Sequence, residues 1–368
     1  MTPDELRWDI HYLARGDEVK SLWRELKTTR ERRLLFICGA GFDPRALVAV
    51  RALVEAGVDA TECRLIEFGS GSGLPAEVEL KRAERHRSQL NQMFTGNSLR
   101  TVTVITRSPE GRSTGGINIS AAFREAQSYV NYTDVVVDIT ALPAELYFPL
   151  IGTLLTIWHS SSVESLGLGN LHTIVCDNPL VDSMILPEGG DKAELMYGFT
   201  GNVQRASIGD PIPIWAPVIG ENQGEHLQKI AEYHRPQVVA PVLPFPARSP
   251  RRCDDLLLEY RSLIFETWDV DPSDIILADE QNPFDVYAKV CAFASDNEES
   301  LSPIGTTQMI VSSHSSKLHS LGVLLAAWER RFGVTHVQPT GHVVNGSFGA
   351  EHETGELFDV WLAGEPYG

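Results

Sequence analysis

Short apolar runs alternate with amphipathic segments along the first half of the chain. The runs, which we predict to be strands, cover residues 34–38, 62–68, 101–106, 134–139 and 172–176. Between them, apolar residues recur at helical spacing, as in the segment that follows Pro44. Strands buried on both faces read as continuous apolar runs, and helices between consecutive strands imply parallel pairing. The first half is therefore predicted to be a parallel sheet built from about five β/α units.

A stretch rich in glycine and proline interrupts this alternation, which then resumes in the second half. The later apolar runs cover residues 237–243, 275–278, 309–312 and 335–338, and a last run at 357–362 is interpreted as part of a hairpin. We predict an α/β protein with two Rossmann-like halves, mostly parallel sheets and flanking helices. Its predicted parts are N-terminal helices (1–32), a first half (33–186), a connection (187–235) and a second half with a C-terminal hairpin (236–368).

The composition is that of an ordinary folded protein. The 368 residues are 43% hydrophobic and 22% charged, which argues against disordered and collagen-like chains. The 31 Lys and Arg residues face 49 Asp and Glu residues, and the net charge of −18 disfavours bulk binding of nucleic acid or anionic lipid. The five cysteines form no CxxC pair, and neither a secretory signal nor an apolar stretch long enough for a membrane span is visible. We therefore expect a protein of the reducing cytoplasm.

Candidate ligand contacts follow the first predicted strand. In parallel sheets ligands bind at the carboxyl ends of the strands, where helix N-termini present free N–H groups. Gly39 and Gly41 would let an anion or a nucleotide approach the backbone, Asp43 can cap a helix, and Arg45 adds a planar cation. A tight strand-to-helix turn explains the same residues equally well. Pro44 and Arg45 stand where a G-x-G-x-x-G pattern would continue, so NAD binding is disfavoured.

Two further strand ends carry acidic residues. Glu67 stands where an acid could bind a ribose, ahead of the glycine-rich run 69–73, which could close over a ligand or form a plain surface loop. Asp138 ends a buried strand, where a carboxylate needs a partner or a site, and Thr140 follows it. Capping of the next turn by either residue is the alternative.

The densest polar cluster follows the run 309–312. Ser313, Ser315 and Lys317 lie at the start of a predicted helix, where hydroxyls, backbone N–H groups and a cation suit a phosphate or a ribose. No G-x-S-x-G pattern is present, so a serine hydrolase is disfavoured.

Earlier in this half, Arg248, Arg251 and Arg252 form either an anion pocket or surface ion pairs. The residues 279–283 are interpreted as a helix cap rather than as metal ligands, because no metal-binding spacing accompanies them. The sequence does not identify a cofactor.

The first half resembles two families. Gly39 to Asp43, with Asp138 and Thr140, resembles the polar turns of CARF-like Rossmannoid sensors of bacterial defence systems, which bind nucleotide second messengers. Residues 34–45 look like the first motif of S-adenosylmethionine-dependent methyltransferases, especially the leucine-carboxyl-methyltransferase-like group. That likeness implies a methionine pocket at Gly39, Gly41, Asp43 and Arg45, a ribose contact at Glu67 and an acidic position at Asp138. It also implies antiparallel last strands, where this sequence continues into a second α/β half.

These observations favour recognition of a ligand over turnover. We expect a sensor or regulatory module that holds a nucleotide-like small molecule, with Gly39 to Arg45, Asp138 and the serine-rich segment converging on one hollow. The alternatives are a methyltransferase and a ligand-free structural subunit of a complex. A protein partner or a homo-oligomer is compatible with each of them.

Overall fold

The computed structural model describes residues 6–367, apart from 59, 70–76, 95–97, 161–165, 191, 202–210 and 340. The strands are β1 (Tyr12–Arg15), β2 (Leu34–Gly39), β3 (Ala60–Phe68), β4 (Leu99–Val104), β5 (Asp134–Asp138), β6 (Asn170–Asp177), β7 (Ile185–Glu188), β8 (Ala193–Thr200), β9 (Ile212–Val218), β10 (Val238–Val239), β11 (Val242–Pro244), β12 (Ile276–Ala278), β13 (Thr307–Ser313), β14 (Gly333–Val337), β15 (Gly341–Val344) and β16 (Glu356–Ala363). The α-helices are α1 (Asp17–Thr29), α2 (Val48–Glu55), α3 (Glu77–Met93), α4 (Gly115–Phe123), α5 (Ala144–Trp158), α6 (Pro179–Met184), α7 (Gly224–His234), α8 (Arg252–Glu259), α9 (Pro283–Leu301) and α10 (Lys317–Arg330).

These elements form two compact units, each with its own mostly parallel sheet, which confirms the predicted fold class. Unit A comprises Tyr12–Gly189 and Pro339–Gly368, and unit B comprises residues 6–11 and Gly190–Gln338. Among the described residues, no helix is both long and apolar enough to cross a bilayer.

The sheet of unit A is doubly wound. Its strand order is β1-β16-β6-β5-β2-β3-β4, and β2 to β6 are parallel. From β2 the chain winds outward through β3 and β4, then returns to the other side of β2 through β5 and β6. The direction of winding therefore reverses between β2 and β5, which is where such sheets place their ligands.

The sheet of unit B repeats this plan. Its order is β12-β11-β9-β13-β14-β8, with β9, β11, β12, β13 and β14 parallel and β8 antiparallel at the edge. The winding reverses between β9 and β13. We call these two positions, β2/β5 and β9/β13, the switch points of the units.

The central strand of unit B lies inside the segment predicted to be a connection. Two prolines in β9, Pro213 and Pro217, weaken its strand pattern, because proline cannot donate to a sheet ladder. The carbonyl of Pro213 accepts a hydrogen bond from the Gln237 N–H at 2.8 Å, so this residue faces the short strand β10 and joins the ladder as an acceptor. Pro241 likewise divides the predicted strand 237–243 into β10 and β11.

The C-terminal segment belongs to the sheet of unit A and not to the second half of the chain. Strand β16 inserts between β6 and β1 and runs antiparallel to both. Its residues from Phe358 to Ala363 are buried, which explains the apolar run. The sequence shows this strand but does not show its partners, because β6 precedes it by the whole of unit B.

Both units have apolar cores against their sheets. In unit A, Trp23 of α1 and Phe36 of β2 are completely buried. In unit B, Trp215 of β9 and Ile310 of β13 take the same role. The cores fix the strands, so that the turns at their carboxyl ends have defined positions.

Candidate functional site

The glycines after β2 bring two turns of unit A together. A Cβ atom on Gly39 would lie 2.8 Å from Leu142 Cδ2, and one on Gly41 would lie 3.1 Å from the Ala141 carbonyl oxygen. The turn after β5 therefore packs directly on the turn after β2. At the switch point of unit A, the space that the glycines leave is taken by this second turn.

The guanidinium of Arg45 is held by carboxylates of the protein itself. Arg45 Nε lies 3.0 Å from Asp43 Oδ1, and Nη2 lies 2.8 Å from both Asp43 Oδ2 and Asp182 Oδ1. The Arg45 side chain is buried, as is that of Asp43. Burial alone would lower the pKa of Arg45, but Asp43 and then Asp182 outweigh it and raise the pKa well above its usual range. With these partners, Arg45 has a structural role: it holds the turn after β2 against α6.

Asp138 and Thr140 tie β5 to β6. Asp138 Oδ1 accepts from the Thr140 N–H at 2.9 Å, and Thr140 Oγ1 accepts from the Cys176 N–H at 2.9 Å. Both side chains are buried. Burial, reinforced by the charge of Asp138, raises the pKa of the Cys176 thiol, which makes that thiol inert at neutral pH.

Helix α3 adds a residue that the sequence reasoning missed. His86 Nδ1 lies 3.1 Å from the Gly41 carbonyl oxygen, to which it donates, and burial lowers the pKa of this imidazole. His86 and Leu90 are the buried residues of α3, and their spacing of four is the signal that marks them as one helix face. Glu67 forms an ion pair with Arg87 of the same helix at 2.7 Å. Residues 70–73 of the glycine-rich run lie outside the described residues.

The switch point of unit B is also closed by two turns. A Cβ atom on Gly220, just after β9, would lie 2.1 Å from the His314 carbonyl oxygen. The His314 N–H donates to the Val218 carbonyl at 2.9 Å. The backbone after β13 therefore lies directly against the backbone after β9.

Serines build the start of α10. Ser316 is the N-cap, and its Oγ accepts from the His319 N–H at 3.3 Å. Ser313 Oγ lies 2.6 Å from Ser320 Oγ, which donates to the Ser316 carbonyl at 2.9 Å. Lys317 is the first residue of the helix. The predicted residues Ser313, Ser315 and Lys317 thus lie together in unit B, whereas the other seven predicted contacts belong to unit A.

Three buried side-chain atoms in the segment 312–319, which we call the β13–α10 segment, have no hydrogen-bond partner among the residues that the structure describes. They are His314 Nε2, Ser315 Oγ and His319 Nδ1. Buried polar atoms are nearly always paired, and an unpaired one costs about 1–3 kcal/mol. This segment therefore carries unfilled hydrogen-bonding capacity at the switch point of unit B.

The two histidines of this segment are neutral. Burial lowers the pKa of His314 to about 3, and the nearby His226 and His336 add to the effect. The ring centroids of His314 and His226 are 6.2 Å apart. Burial lowers the pKa of His319 to about 4, although a hydrogen bond with the Asp279 carbonyl opposes the shift. Both imidazoles act as hydrogen-bonding groups rather than as cations at neutral pH.

Arg252 is engaged by two acidic side chains, Glu221 and Glu280. Its Nε and Nη2 atoms lie 2.7 and 2.9 Å from the two carboxylate oxygens of Glu221, and its Nη1 atom pairs with Glu280 Oε1. Glu280 Oε2 accepts from the Arg248 N–H at 2.7 Å. Arg252 therefore ties together the turns after β9 and β12.

The segment after β12 forms a helix cap. Asn282 Oδ1 accepts from the Phe284 N–H at 3.0 Å, and Pro283 is the first residue of α9. Within the described parts of the chain, no group of three or more His, Cys, Asp or Glu side chains is arranged to hold a metal ion.

A cavity of about 340 Å³ lies elsewhere in unit B. Apolar residues dominate its lining, which consists of Phe245, Pro250, Cys253, Asp254, Leu257, Pro272, Ile275 and Leu277. None of the predicted contacts lines it.

No known protein-family model matches this chain, and no curated protein sequence matches it.

Proposed function

We propose that the chain binds a nucleotide-like small molecule at the β13–α10 segment of unit B. The observation that supports this proposal is the group of unpartnered buried atoms on His314, Ser315 and His319. They lie beside the switch point of a doubly wound sheet and at the start of a 14-residue helix. A ligand with both charged and polar groups would satisfy such a surface.

The start of α10 suits the anionic part of the ligand. The first turn of a helix presents backbone N–H groups and the positive end of the helix dipole, each favourable to a negative charge by about 0.3–1 kcal/mol. Lys317 adds a full positive charge in this turn. In a chain with a net charge of −18, such a local cationic site would select the anion that the rest of the surface repels.

The role that we propose is recognition rather than turnover. The Ser313 hydroxyl is engaged by Ser320, and the nearby Arg252 is engaged by Glu221 and Glu280. Because these side chains are engaged, they are not available as a nucleophile or a catalytic cation. The proposed role of ligand binding is therefore to signal, as in a cytoplasmic sensor or regulatory module. The resemblance to CARF-like sensors extends the proposal to a role in bacterial defence and to a protein partner or a second copy that reads the bound state.

Isothermal titration calorimetry of the purified chain tests the proposal. The probes are AMP, ATP, a panel of cyclic nucleotides, S-adenosylmethionine and inorganic phosphate. We expect at least one nucleotide to bind saturably and Lys317→Glu to weaken that binding by about tenfold or more. Lys192→Glu is the matched control, because Lys192 is an exposed lysine of the same unit. Absence of binding by every nucleotide would overturn the proposal in favour of a structural subunit.

A second candidate function, methyl transfer, is favoured by one observation in unit A. Strand β16 returns antiparallel to the first sheet, as the methyltransferase resemblance leads one to expect of the last strands. The methyl donor would then bind beside the glycine turn at Gly39 and Gly41, on which the turn after β5 packs. Binding of S-adenosylmethionine without any nucleotide, abolished by Gly41→Asp, would support this candidate and remove the first.

A further inference from the structure

We infer that the ligand donates a hydrogen bond, from a sugar hydroxyl or a base amino group, to Nδ1 of His319. This inference rests on the proposed function, and it specifies the chemistry of the ligand. It means that a nucleoside group is required and that a phosphate alone does not account for the site.

The hydrogen bond on the far side of the ring identifies the tautomer of His319. Nε2 lies 3.1 Å from the backbone carbonyl oxygen of Asp279. A carbonyl oxygen can only accept, so Nε2 carries the proton and donates it. In a neutral imidazole the other nitrogen then bears a lone pair and is an acceptor. His319 Nδ1 is therefore a defined acceptor and not an ambiguous atom.

This acceptor meets no donor in the part of the chain that the structure describes. His319 is completely buried, and Nδ1 forms no hydrogen bond with any described group. The backbone N–H of His319 is used by the Ser316 cap. A buried acceptor left in this state costs about 1–3 kcal/mol, which a matching donor would recover.

A phosphate oxygen is the wrong partner for this atom. The fully ionised phosphate of a nucleotide offers acceptors only, and two lone pairs facing each other at hydrogen-bond distance repel. Hydroxyl and amino groups, by contrast, carry the required hydrogen. Nδ1 thus selects the uncharged part of a nucleotide, while the helix start attracts the charged part.

The helix start and His319 belong to the same turn of α10. Lys317 is the first and His319 the third residue of α10. At a rise of 1.5 Å per residue, they are separated by about 3 Å along the helix axis. Side chains two residues apart lie on different faces of a helix, so the phosphate would bind the backbone N–H groups of the helix start while the hydroxyl meets His319. Ser315 Oγ, which can donate as well as accept, lies two residues before Lys317.

Two substitutions of His319 separate its ligand contact from its contact with Asp279. In His319→Gln the side-chain amide can take the place of Nε2 and keep the bond to Asp279, but no acceptor remains at Nδ1. In His319→Asn the amide oxygen takes the place of Nδ1, and the bond to Asp279 is lost. The probes for calorimetry are AMP, adenosine and inorganic phosphate, with thermal unfolding measured for each variant.

We expect His319→Gln to bind AMP about tenfold more weakly than the wild type, with a similar thermal midpoint. His319→Asn should keep most of the affinity for AMP, although its midpoint falls. The weak binding of inorganic phosphate should be the same in all three proteins.

Different results identify which claim fails. If the wild type binds no nucleotide, the proposed function falls and this inference falls with it. If the wild type binds AMP and His319→Gln binds it equally well, the function stands and the inference is overturned, because only water then meets Nδ1. A parallel loss of AMP and phosphate binding in His319→Gln would also overturn it, since the effect would be a general disturbance of the helix start.

Discussion

Units A and B share one topology but use their switch points differently. In each unit, a glycine after the central strand lets a neighbouring turn close over it, Gly41 in unit A and Gly220 in unit B. In unit A the polar side chains there hydrogen bond to one another, as Arg45 does to Asp43 and Asp182. In unit B the β13–α10 segment leaves polar atoms without partners.

The difference teaches that topology alone does not locate a ligand site. Among the described residues of unit A, His172 Nε2 and Thr173 Oγ1 are unpartnered and buried within β6, and Arg82 Nη1 is unpartnered and buried on α3, one turn before His86. In the turns after β2 and β5 themselves, the polar side chains of Asp43, Arg45, Asp138 and Thr140 are hydrogen-bonded. Unfilled hydrogen bonds, rather than the type of fold, distinguish unit B.

The largest expected effect comes from breaking the ion pair of unit A. Arg45→Ala leaves the buried Asp43 without its cation, and we expect a loss of about 3–5 kcal/mol in unfolding free energy, measured by urea denaturation. Arg252→Ala, the corresponding change in unit B, also leaves a buried carboxylate, Glu280, without its cation, but it should cost less because the Arg252 side chain is 17% exposed against 2% for Arg45. Equal losses in unfolding free energy would contradict the view that unit A depends more strongly on its buried ion pair than unit B does.

Acid should weaken the folded state through the histidines of unit B. His319 has a pKa of about 4 when folded and an ordinary value near 6.5 when unfolded, so below about pH 6.5 the unfolded chain binds more protons. The unfolding free energy should therefore fall between pH 6.5 and pH 4, by at most about 3 kcal/mol for this residue. Urea denaturation across this range measures it. His319→Gln should reduce the slope, and an unchanged slope would show that His319 does not contribute.

Replacing a switch-point glycine by alanine in each unit compares how tightly the two pairs of turns pack. In Gly220→Ala the new Cβ atom would meet the His314 carbonyl oxygen at 2.1 Å, so the backbone must move. We expect a loss of about 1–3 kcal/mol in stability and a weaker affinity for the ligand of unit B. Gly41→Ala, whose closest contact is 3.1 Å, should cost less and leave that affinity unchanged. The reverse order of stabilities would show that the turns adapt differently.

The smallest effect is expected from the helix caps. Ser316→Ala removes the N-cap of α10 and should cost about 1 kcal/mol in thermal unfolding. Asn178→Ala removes the N-cap of α6 in unit A. Because α6 is not part of the proposed site in unit B, we expect Asn178→Ala to bind nucleotide normally. Ser316→Ala, at the start of α10, should bind nucleotide less well. Normal binding by Ser316→Ala would indicate that the ligand does not use the start of α10.

The sequence predicts β2, β5 and β6 of unit A well because their residues are buried on both faces, but it misses β1, which lies in the stretch predicted to be helical. It fails for β9, whose prolines conceal a central strand, and for the partners of β16, which depend on pairing across a long stretch of chain. The serine-rich turn was predictable from its polar residues before a helix. His319 was not, because its importance depends on the carbonyl of Asp279, far away in the sequence. The sequence likewise did not reveal that Asp182, far from Arg45 along the chain, forms an ion pair with it.

The position of β16 has a consequence for how the protein is made on the ribosome. Strand β1 leaves the exit tunnel early, yet its neighbour in the sheet is β16, which follows after all of unit B. During synthesis, the backbone N–H and C=O groups of β1 and of one edge of β6 therefore stay unpaired until β16 has been made. The long interval makes nascent unit A a natural client for chaperones, and ribosome stalling before β16 should leave it open to proteases while unit B is already protected.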